Sequence, residues 1–132
     1  MTQYRDGQAV NILLEDCDYA RLDSKNWCKK IISDIARKIK MQMLMSPIAV
    51  ELSETQVKDI DETGISAFAI IAESHIALHT WPRARAIRLA IDSCKEFDIE
   101  KLECYLRKYF GTNEVTYYGS HGVCKCSNKE VA

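Results

Sequence analysis

Residues Glu73-Ser74-His75 open a short segment in which reactive side chains are concentrated. Two of the three histidines, His75 and His79, lie within five positions of Ser74, in a stretch that is otherwise apolar. An apolar strand normally excludes such residues, because a buried polar group without a partner costs about 1–3 kcal/mol. The segment therefore indicates chemistry at Ser74, although surface residues at the end of a short strand would give the same pattern.

The spacing of these residues resembles that of the small prokaryotic S-adenosylmethionine decarboxylases. In that family the serine of an ESH sequence becomes a pyruvoyl group, with a histidine five positions later and a cysteine twenty positions later. Those positions hold Ser74, His79 and Cys94 here. Upstream, Gly64-Ile65-Ser66 stands where the family has Gly-Val-Ser or Gly-Val-Thr, and Ser66 coincides with its processing serine. The resemblance covers roughly residues 8–118.

The resemblance implies self-cleavage between Glu73 and Ser74. The Ser74 hydroxyl would attack the Glu73 carbonyl to form an ester, and removal of the serine α-proton would then expel the Glu73 carboxylate. The remaining dehydroalanine would hydrolyse to ammonia and a pyruvoyl group, the cofactor. Ser66 and His79 would assist, since an imidazole can remove a proton near neutral pH. A hydroxyl satisfied within a strand is an equally good interpretation of Ser66.

The same resemblance implies a carboxy-lyase, an amino-acid α-decarboxylase. The pyruvoyl ketone would condense with the substrate's α-amine and accept the electrons left when carbon dioxide departs, the role that pyridoxal phosphate plays elsewhere. Cys94 would protonate the substrate carbon, because free thiols mostly retain their proton at neutral pH. Without its register to Ser74, Cys94 would be interpreted as a small buried hydrophobe.

The substrate-binding positions depart from the family pattern. S-adenosylmethionine decarboxylases have a phenylalanine that stacks on adenine fourteen positions before the pyruvoyl serine, where this chain has Ile60. They have a glutamate for the ribose hydroxyls after Trp-Pro, where this chain has Arg83, which cannot accept hydrogen bonds. Trp81 remains available for stacking. Two nucleoside contacts are therefore missing.

Three functions remain open. The first is decarboxylation of S-adenosylmethionine for polyamine synthesis, and the second is decarboxylation of L-arginine or L-ornithine by the same group. A basic amino acid adds a distal cation, which requires a carboxylate. Strand alternation predicts Asp92 on the face of Cys94, and Asp61 and Glu62 follow Ile60. The third is a non-enzymatic partner subunit, against which the retained reactive residues argue.

Composition agrees with a small cytoplasmic enzyme and predicts one domain over residues 1–132. The chain is 47% hydrophobic, with no run of about 18 apolar residues and no charged-then-apolar leader. A net charge of −1 gives no electrostatic footprint for a nucleic-acid or a membrane partner, and the resemblance implies a small-molecule substrate. The six cysteines follow no zinc spacing, so we expect free thiols and no metal site.

Strands alternating with two helices are predicted to position these residues. Apolar runs predict strands over 9–14, 48–52, 65–72, 76–80, 86–91 and 114–118, and helical spacing predicts helices capped by Asp23 or Ser24 and by Asp98. The nearly continuous run 65–72 predicts a buried central strand with 76–80 and 86–91 as its partners. The polar and acidic composition of residues 53–63 predicts a loop. The tail beyond Gly119 is expected to be loose.

The expected fold class is α+β, a two-layer sandwich in which an antiparallel sheet carries two helices on one face. The other face of such a sheet needs a cover. The resemblance supplies one by pairing processed protomers as a homodimer or a higher homo-oligomer.

Overall fold

A computed structural model of the chain describes residues 7–72, 74–119 and the backbone of 121–122. The strands are β1 (Gln8–Glu15), β2 (Ile48–Leu52), β3 (Gly64–Ile71), β4 (Ser74–Trp81), β5 (Ala86–Ser93), β6 (Glu114–Tyr117) and β7 (His121–Gly122). The helices are α1 (Tyr19–Leu22), α2 (Lys25–Lys38) and α3 (Ile99–Phe110). Each predicted strand and helix is present, while α1 and β7 are additional.

One antiparallel sheet contains all seven strands, in the order β2-β3-β4-β5-β1-β6, with β7 also paired to β1. The predicted α+β sandwich is therefore confirmed. The expected pairing of 86–91 with 65–72 is wrong, because β5 pairs with β4 and β1. The N-terminal strand inserts between β5 and β6, a non-local pairing that no local pattern specifies.

Helix α2 begins where its cap was predicted and buries one apolar face. The Ser24 hydroxyl accepts a hydrogen bond from the Trp27 amide at 3.2 Å, which satisfies a free N–H of the first turn. Ile31 and Ile35 are completely buried against the sheet. Trp27 is 38% exposed because it lies at the edge of this buried helix face. The Arg21 guanidinium is 4.6 Å from the centre of its ring.

Helix α3 follows the same rules at both ends. The Asp98 carboxylate accepts a hydrogen bond from the Lys101 amide at 3.0 Å, and the helix ends at Gly111 in the left-handed region at φ 64°. Leu102 and Leu106 are buried in the same core as the apolar face of α2. Both helices thus cover one face of the sheet.

The face away from the helices, here called the open face, alternates with the buried one along every central strand. Its residues include Ile48, Val50, Ser66, Phe68, Ile70, His75, Ala77, His79, Trp81, Arg88, Ala90 and Asp92. Phe68 and Ile70 are 43% and 48% exposed there, while Ala67 and Ala69 beside them are buried. The prediction that the apolar run 65–72 is buried is therefore wrong, in a single chain, for its residues on the open face.

The connecting segments show more order than predicted. Residues 53–63 contain two short 3₁₀ helices, Glu54–Gln56 and Ile60–Glu62. Beyond Gly119, His121–Gly122 pair with β1, so the chain continues the sheet past the predicted start of the loose tail. The rest of that tail lies outside the described residues.

Free thiols occur at Cys17, Cys28, Cys94 and Cys104, whereas Cys124 and Cys126 lie outside the described part of the chain. In the described ranges, no three His, Cys, Asp or Glu side chains are grouped so that they could hold a metal ion. No helix within the same ranges is long and apolar enough to cross a membrane.

Candidate active site

A serine–histidine pair lies on the open face between β3 and β4. Ser66 and His79 are directly opposite each other in the sheet, and Ser66 Oγ is 2.7 Å from His79 Nδ1. The Trp81 ring packs edge-on against the imidazole, with ring centroids 4.4 Å apart. The hydroxyl and the indole together fix the ring orientation, so the other imidazole nitrogen, Nε2, is left for a reacting group.

The environment of His79 favours the neutral imidazole. Partial burial lowers the pKa of His79 from its usual value near 6.5, and the positive charge of Arg88 lowers it further. Arg88 is the residue directly opposite His79 on β5. A neutral imidazole can accept a proton, so the site holds a base that stays available under mildly acidic conditions.

Replacement of Arg88 by alanine is expected to raise the pKa of His79, because it removes the nearby positive charge but leaves the burial. NMR titration of the imidazole signals, assigned with His79→Gln, measures the change. The wild-type ring should protonate below the usual pH range for histidine, and the Arg88→Ala ring at higher pH. Lys108→Ala, an exposed cation on α3, is the control. Identical titration of His79 in wild type and Arg88→Ala would exclude this influence of Arg88.

Ser74 is the first residue of β4 and lies at the opposite end of that strand from His79. It is half-buried, and its Oγ is 3.2 Å from Nδ1 of His75. Five residues at about 3.3 Å each separate Ser74 from His79 by about 16 Å, and the odd spacing places them on opposite faces. The structure therefore does not bring these two residues together within one chain. Glu73 lies outside the described residues.

Cys94 lies at the same end of the sheet as Ser74. Ser93, the last residue of β5, is directly opposite Ser74, and the exposed Cys94 follows it. Asp92 is exposed on the open face, directly opposite His75. β5 ends at Ser93, so the prediction that Asp92 and Cys94 lie on one face stays a prediction for Cys94.

Gly7 supports the backbone beside Cys94, a role that sequence reasoning missed. A Cβ atom on Gly7 would lie 2.0 Å from the Ser93 carbonyl oxygen and 2.7 Å from Cys94 Cα. Gly7 also has φ +73°, which favours glycine. A glycine two residues before the predicted strand 9–14 was the available signal, but only tertiary structure shows what it approaches.

Ile60 and Arg83, which depart from the family's substrate-binding residues, line one cleft. Ile60, 42% exposed, and Arg83 border a cavity of about 440 Å³, together with Glu51 and Gly64. Arg83 Nε donates to Asp61 Oδ1 at 3.0 Å, so the new cation is paired with a neighbouring loop carboxylate. This cleft lies at the His79 end of the sheet.

The model of the S-adenosylmethionine decarboxylase family matches residues 8–120. This chain belongs to the S-adenosylmethionine decarboxylase family. Its predicted membership of a family of carboxy-lyases is thereby confirmed.

Curated relatives of the family differ in the substrate that they are named for. An S-adenosylmethionine decarboxylase proenzyme of Parasynechococcus marenigrum is 26% identical over 98 residues, which is 74% of this chain and 70% of that protein. One from Clostridium botulinum strain Langeland is 26% identical over 103 residues, covering 77% and 81%. An arginine decarboxylase proenzyme of Pyrobaculum arsenaticum is 38% identical over 47 residues, or 36% of this chain and 35% of that one.

A solved structure shares the fold of this family member. The adenosylmethionine decarboxylase of Aquifex aeolicus superposes with a TM-score of 0.67 over 94% of this chain and 96% of the other, at 14% identity. The similarity covers the whole architecture of sheet and helices. At this identity it concerns the fold alone.

Gly64, which the sequence analysis named only as part of a motif, and Thr80, which it did not single out, hold β3 and β4 of this decarboxylase-family fold in register. A Cβ on Gly64 would lie 1.8 Å from the Thr80 carbonyl oxygen, so only glycine permits this close approach. The buried Thr80 hydroxyl accepts from the Ile65 amide at 3.0 Å and donates to the Leu22 carbonyl at 2.9 Å. These contacts fix the neighbours of Ser66 and His79.

Proposed function

We propose that this protein is a self-processing, pyruvoyl-dependent α-decarboxylase that acts on S-adenosylmethionine. The observation that supports it most is the Ser66–His79 pair on the open face, at 2.7 Å, combined with Ser74 and Cys94 at one end of neighbouring strands. The first pair provides a base, His79, that has no reacting partner in its own chain. Ser74 and Cys94 provide a nucleophile and an acid. Together they supply the functions that the chemistry requires.

In self-processing, the Ser74 hydroxyl attacks the Glu73 carbonyl, and the peptide bond becomes an ester with a free amine. His79 then removes the α-proton of residue 74, the Cβ–Oγ bond breaks, and the Glu73 carboxylate leaves. Water releases ammonia from the resulting dehydroalanine and completes the pyruvoyl group. Ser66 fixes the ring of His79 so that Nε2 is presented to that proton.

The place of residue 74 fits a small ketone cofactor. Ser74 is half-buried at a strand end, directly opposite the buried Ser93, so the group would be reachable yet partly shielded from water. When present, the pyruvoyl group supplies a carbonyl that binds the substrate amine and withdraws electrons from the breaking carboxylate bond. Cys94, one residue beyond Ser93, holds the proton that replaces carbon dioxide on the substrate.

The separation of about 16 Å between Ser74 and His79 leads to the second part of the proposal, a homodimer with shared sites. A two-fold axis between two open faces, perpendicular to the strands, reverses strand direction. It places the Ser74 end of one protomer over the His79 end of its partner. Each site then combines residue 74 of one chain, whose hydroxyl at the strand end contacts His75 of the open face, with the base His79 of the other chain.

The apolar composition of the open face supports this pairing. Ile48, Val50, Phe68 and Ile70 are between 43% and 60% exposed, and they lie together on β2 and β3. Complete burial of such side chains contributes about 1.5–3 kcal/mol each. An exposed apolar patch of this kind marks an interaction surface, and a second copy is the partner that completes the site.

A second candidate substrate is L-arginine or L-ornithine. Ile60 and Arg83 remove the adenine platform and the ribose acceptor, and both line the cleft at the His79 end. Asp61 is already engaged by Arg83. Asp92, exposed near Ser74, is the carboxylate best placed to bind a distal cation. Trp81 lies beside His79 in either case and can pack against the substrate.

Release of carbon dioxide from the processed protein should be measured in parallel with S-adenosylmethionine, L-arginine and L-ornithine. We expect the highest kcat/KM with S-adenosylmethionine. Ile60→Phe should lower its KM about tenfold, since stacking on adenine is worth about 0.5–1.5 kcal/mol beyond the buried area. Asp92→Asn should change this turnover no more than the control Glu100→Gln on α3.

The second candidate function predicts a different order of turnover. Faster turnover of arginine or ornithine, depressed by Asp92→Asn but not by Glu100→Gln, would assign the second candidate function. Absence of turnover with all three substrates by fully processed protein would contradict both.

A further inference from the structure

The first step of self-processing needs a base that the Ser66–His79 pair does not provide within the chain. The Ser74 hydroxyl must lose its proton as it attacks, and an unassisted serine hydroxyl is a weak nucleophile. The later loss of the α-proton is a separate step at a different atom. Self-processing needs two proton removals, and β4 carries two histidines. Each histidine can therefore serve a different step.

His75 is the histidine in contact with the nucleophile. Its Nδ1 lies 3.2 Å from Ser74 Oγ, within hydrogen-bond reach. A neutral imidazole that accepts a proton at Nδ1 carries its own hydrogen on Nε2. The contact with Ser74 therefore leaves Nε2–H of His75 as a donor toward a second group.

Asp92 is the carboxylate placed to receive that donor. It lies directly opposite His75 on the neighbouring strand β5, and both residues face the open side. Side chains directly opposite in antiparallel strands have Cβ atoms about 4.5–5.5 Å apart, which is within reach of an imidazole and a carboxylate. A carboxylate in this position stabilises the imidazolium that forms when His75 takes a proton.

We propose that His75 is the general base of the first processing step and that Asp92 is its positioning residue. This inference rests on the proposed self-processing. As the Ser74 oxygen bonds to the Glu73 carbonyl carbon, its proton passes to His75 Nδ1. The carbon–nitrogen bond of the peptide then breaks, and the same proton passes to the departing nitrogen of residue 74. The ester and the free amine result, with no net gain or loss of protons.

The two histidines can be separated by where processing stops. His75→Gln should slow the appearance of the two fragments by about 10²–10⁴-fold, and hydroxylamine, which cleaves esters, should release no additional fragment. His79→Gln should instead accumulate an ester at Glu73–Ser74 that hydroxylamine cleaves. Intact-mass measurement of freshly synthesised protein follows both. The double variant should behave as His75→Gln, because the ester never forms.

Asp92→Asn should slow ester formation by about tenfold, while the control Glu100→Gln should not. Circular dichroism verifies that each variant is folded, and His75 is exposed, so its replacement leaves the core intact. Processing of His75→Gln at the wild-type rate, or ester accumulation in the double variant, would overturn the inference while self-processing itself stands. Failure of the wild-type chain to cleave would instead refute the proposed function.

Discussion

Ser74→Ala protein is expected to remain a single chain without decarboxylase activity, whichever of the three substrates is offered. Alanine has no oxygen to attack the Glu73 carbonyl and cannot become a pyruvoyl group. Intact-mass measurement should show the full-length chain, whereas wild-type protein should give two fragments divided between Glu73 and Ser74. Edman chemistry should fail on the second wild-type fragment, because a pyruvoyl terminus has no amine.

Ser74→Ala also provides the test of the shared site. Coexpression with a His79→Gln chain should restore cleavage of the His79→Gln chain, since a mixed dimer contains one site with both Ser74 and His79. Neither the Ser74→Ala chain nor the His79→Gln chain should be cleaved when it is expressed alone. A wild-type chain that stays full length after long incubation would remove the pyruvoyl assignment and favour the partner-subunit function. Absence of complementation would place both residues in one chain.

Local patterns were sufficient for six of the strands and for the two long helices, α2 and α3. Val10, Ile12 and Leu14 alternate with half-buried residues along β1, and their burial follows from that period of two. Ser24 and Asp98 were identified as helix caps because short polar side chains satisfy free amides. These features depend on neighbours within a few positions, which the sequence displays directly.

Other features depend on contacts that are distant in sequence. The insertion of β1 between β5 and β6 follows from closure of the whole core rather than from any one segment. The apolar run that includes Phe68 and Ile70 has the same pattern whether its second face meets a helix or another chain. A run of apolar residues thus indicates burial without identifying what provides it.

Spacing along the chain selected the candidate reactive residues, yet it does not by itself place them together. A separation of five in a strand puts Ser74 and His79 on opposite faces, which the alternation rule already requires. Conversely, the contact between Ser74 and His75 joins neighbours in sequence, and alternation alone would have separated them. Strand ends relax that alternation, and only the folded chain shows where.

In the proposed function, Cys94 acts only after Ser74 has been converted. Cys94 is exposed at the end of β5, next to the residue opposite Ser74, and no part of the processing scheme uses its thiol. Loss of carbon dioxide leaves a carbon that must receive a proton at one defined atom. A donor held beside residue 74 directs protonation to the substrate carbon rather than to the cofactor carbon.

Cys94→Ala is therefore expected to cleave itself as the wild type does but to lose turnover by about 10²–10⁴-fold, the usual contribution of a positioned general acid. Protonation at the cofactor carbon should then convert the pyruvoyl group to an amino acid and inactivate the enzyme progressively, which mass measurement of the second fragment detects. Cys104→Ala, which removes another exposed free thiol on α3, should retain full activity. Undiminished turnover by Cys94→Ala would exclude this thiol from the mechanism and require another proton donor at the Ser74 end of the sheet.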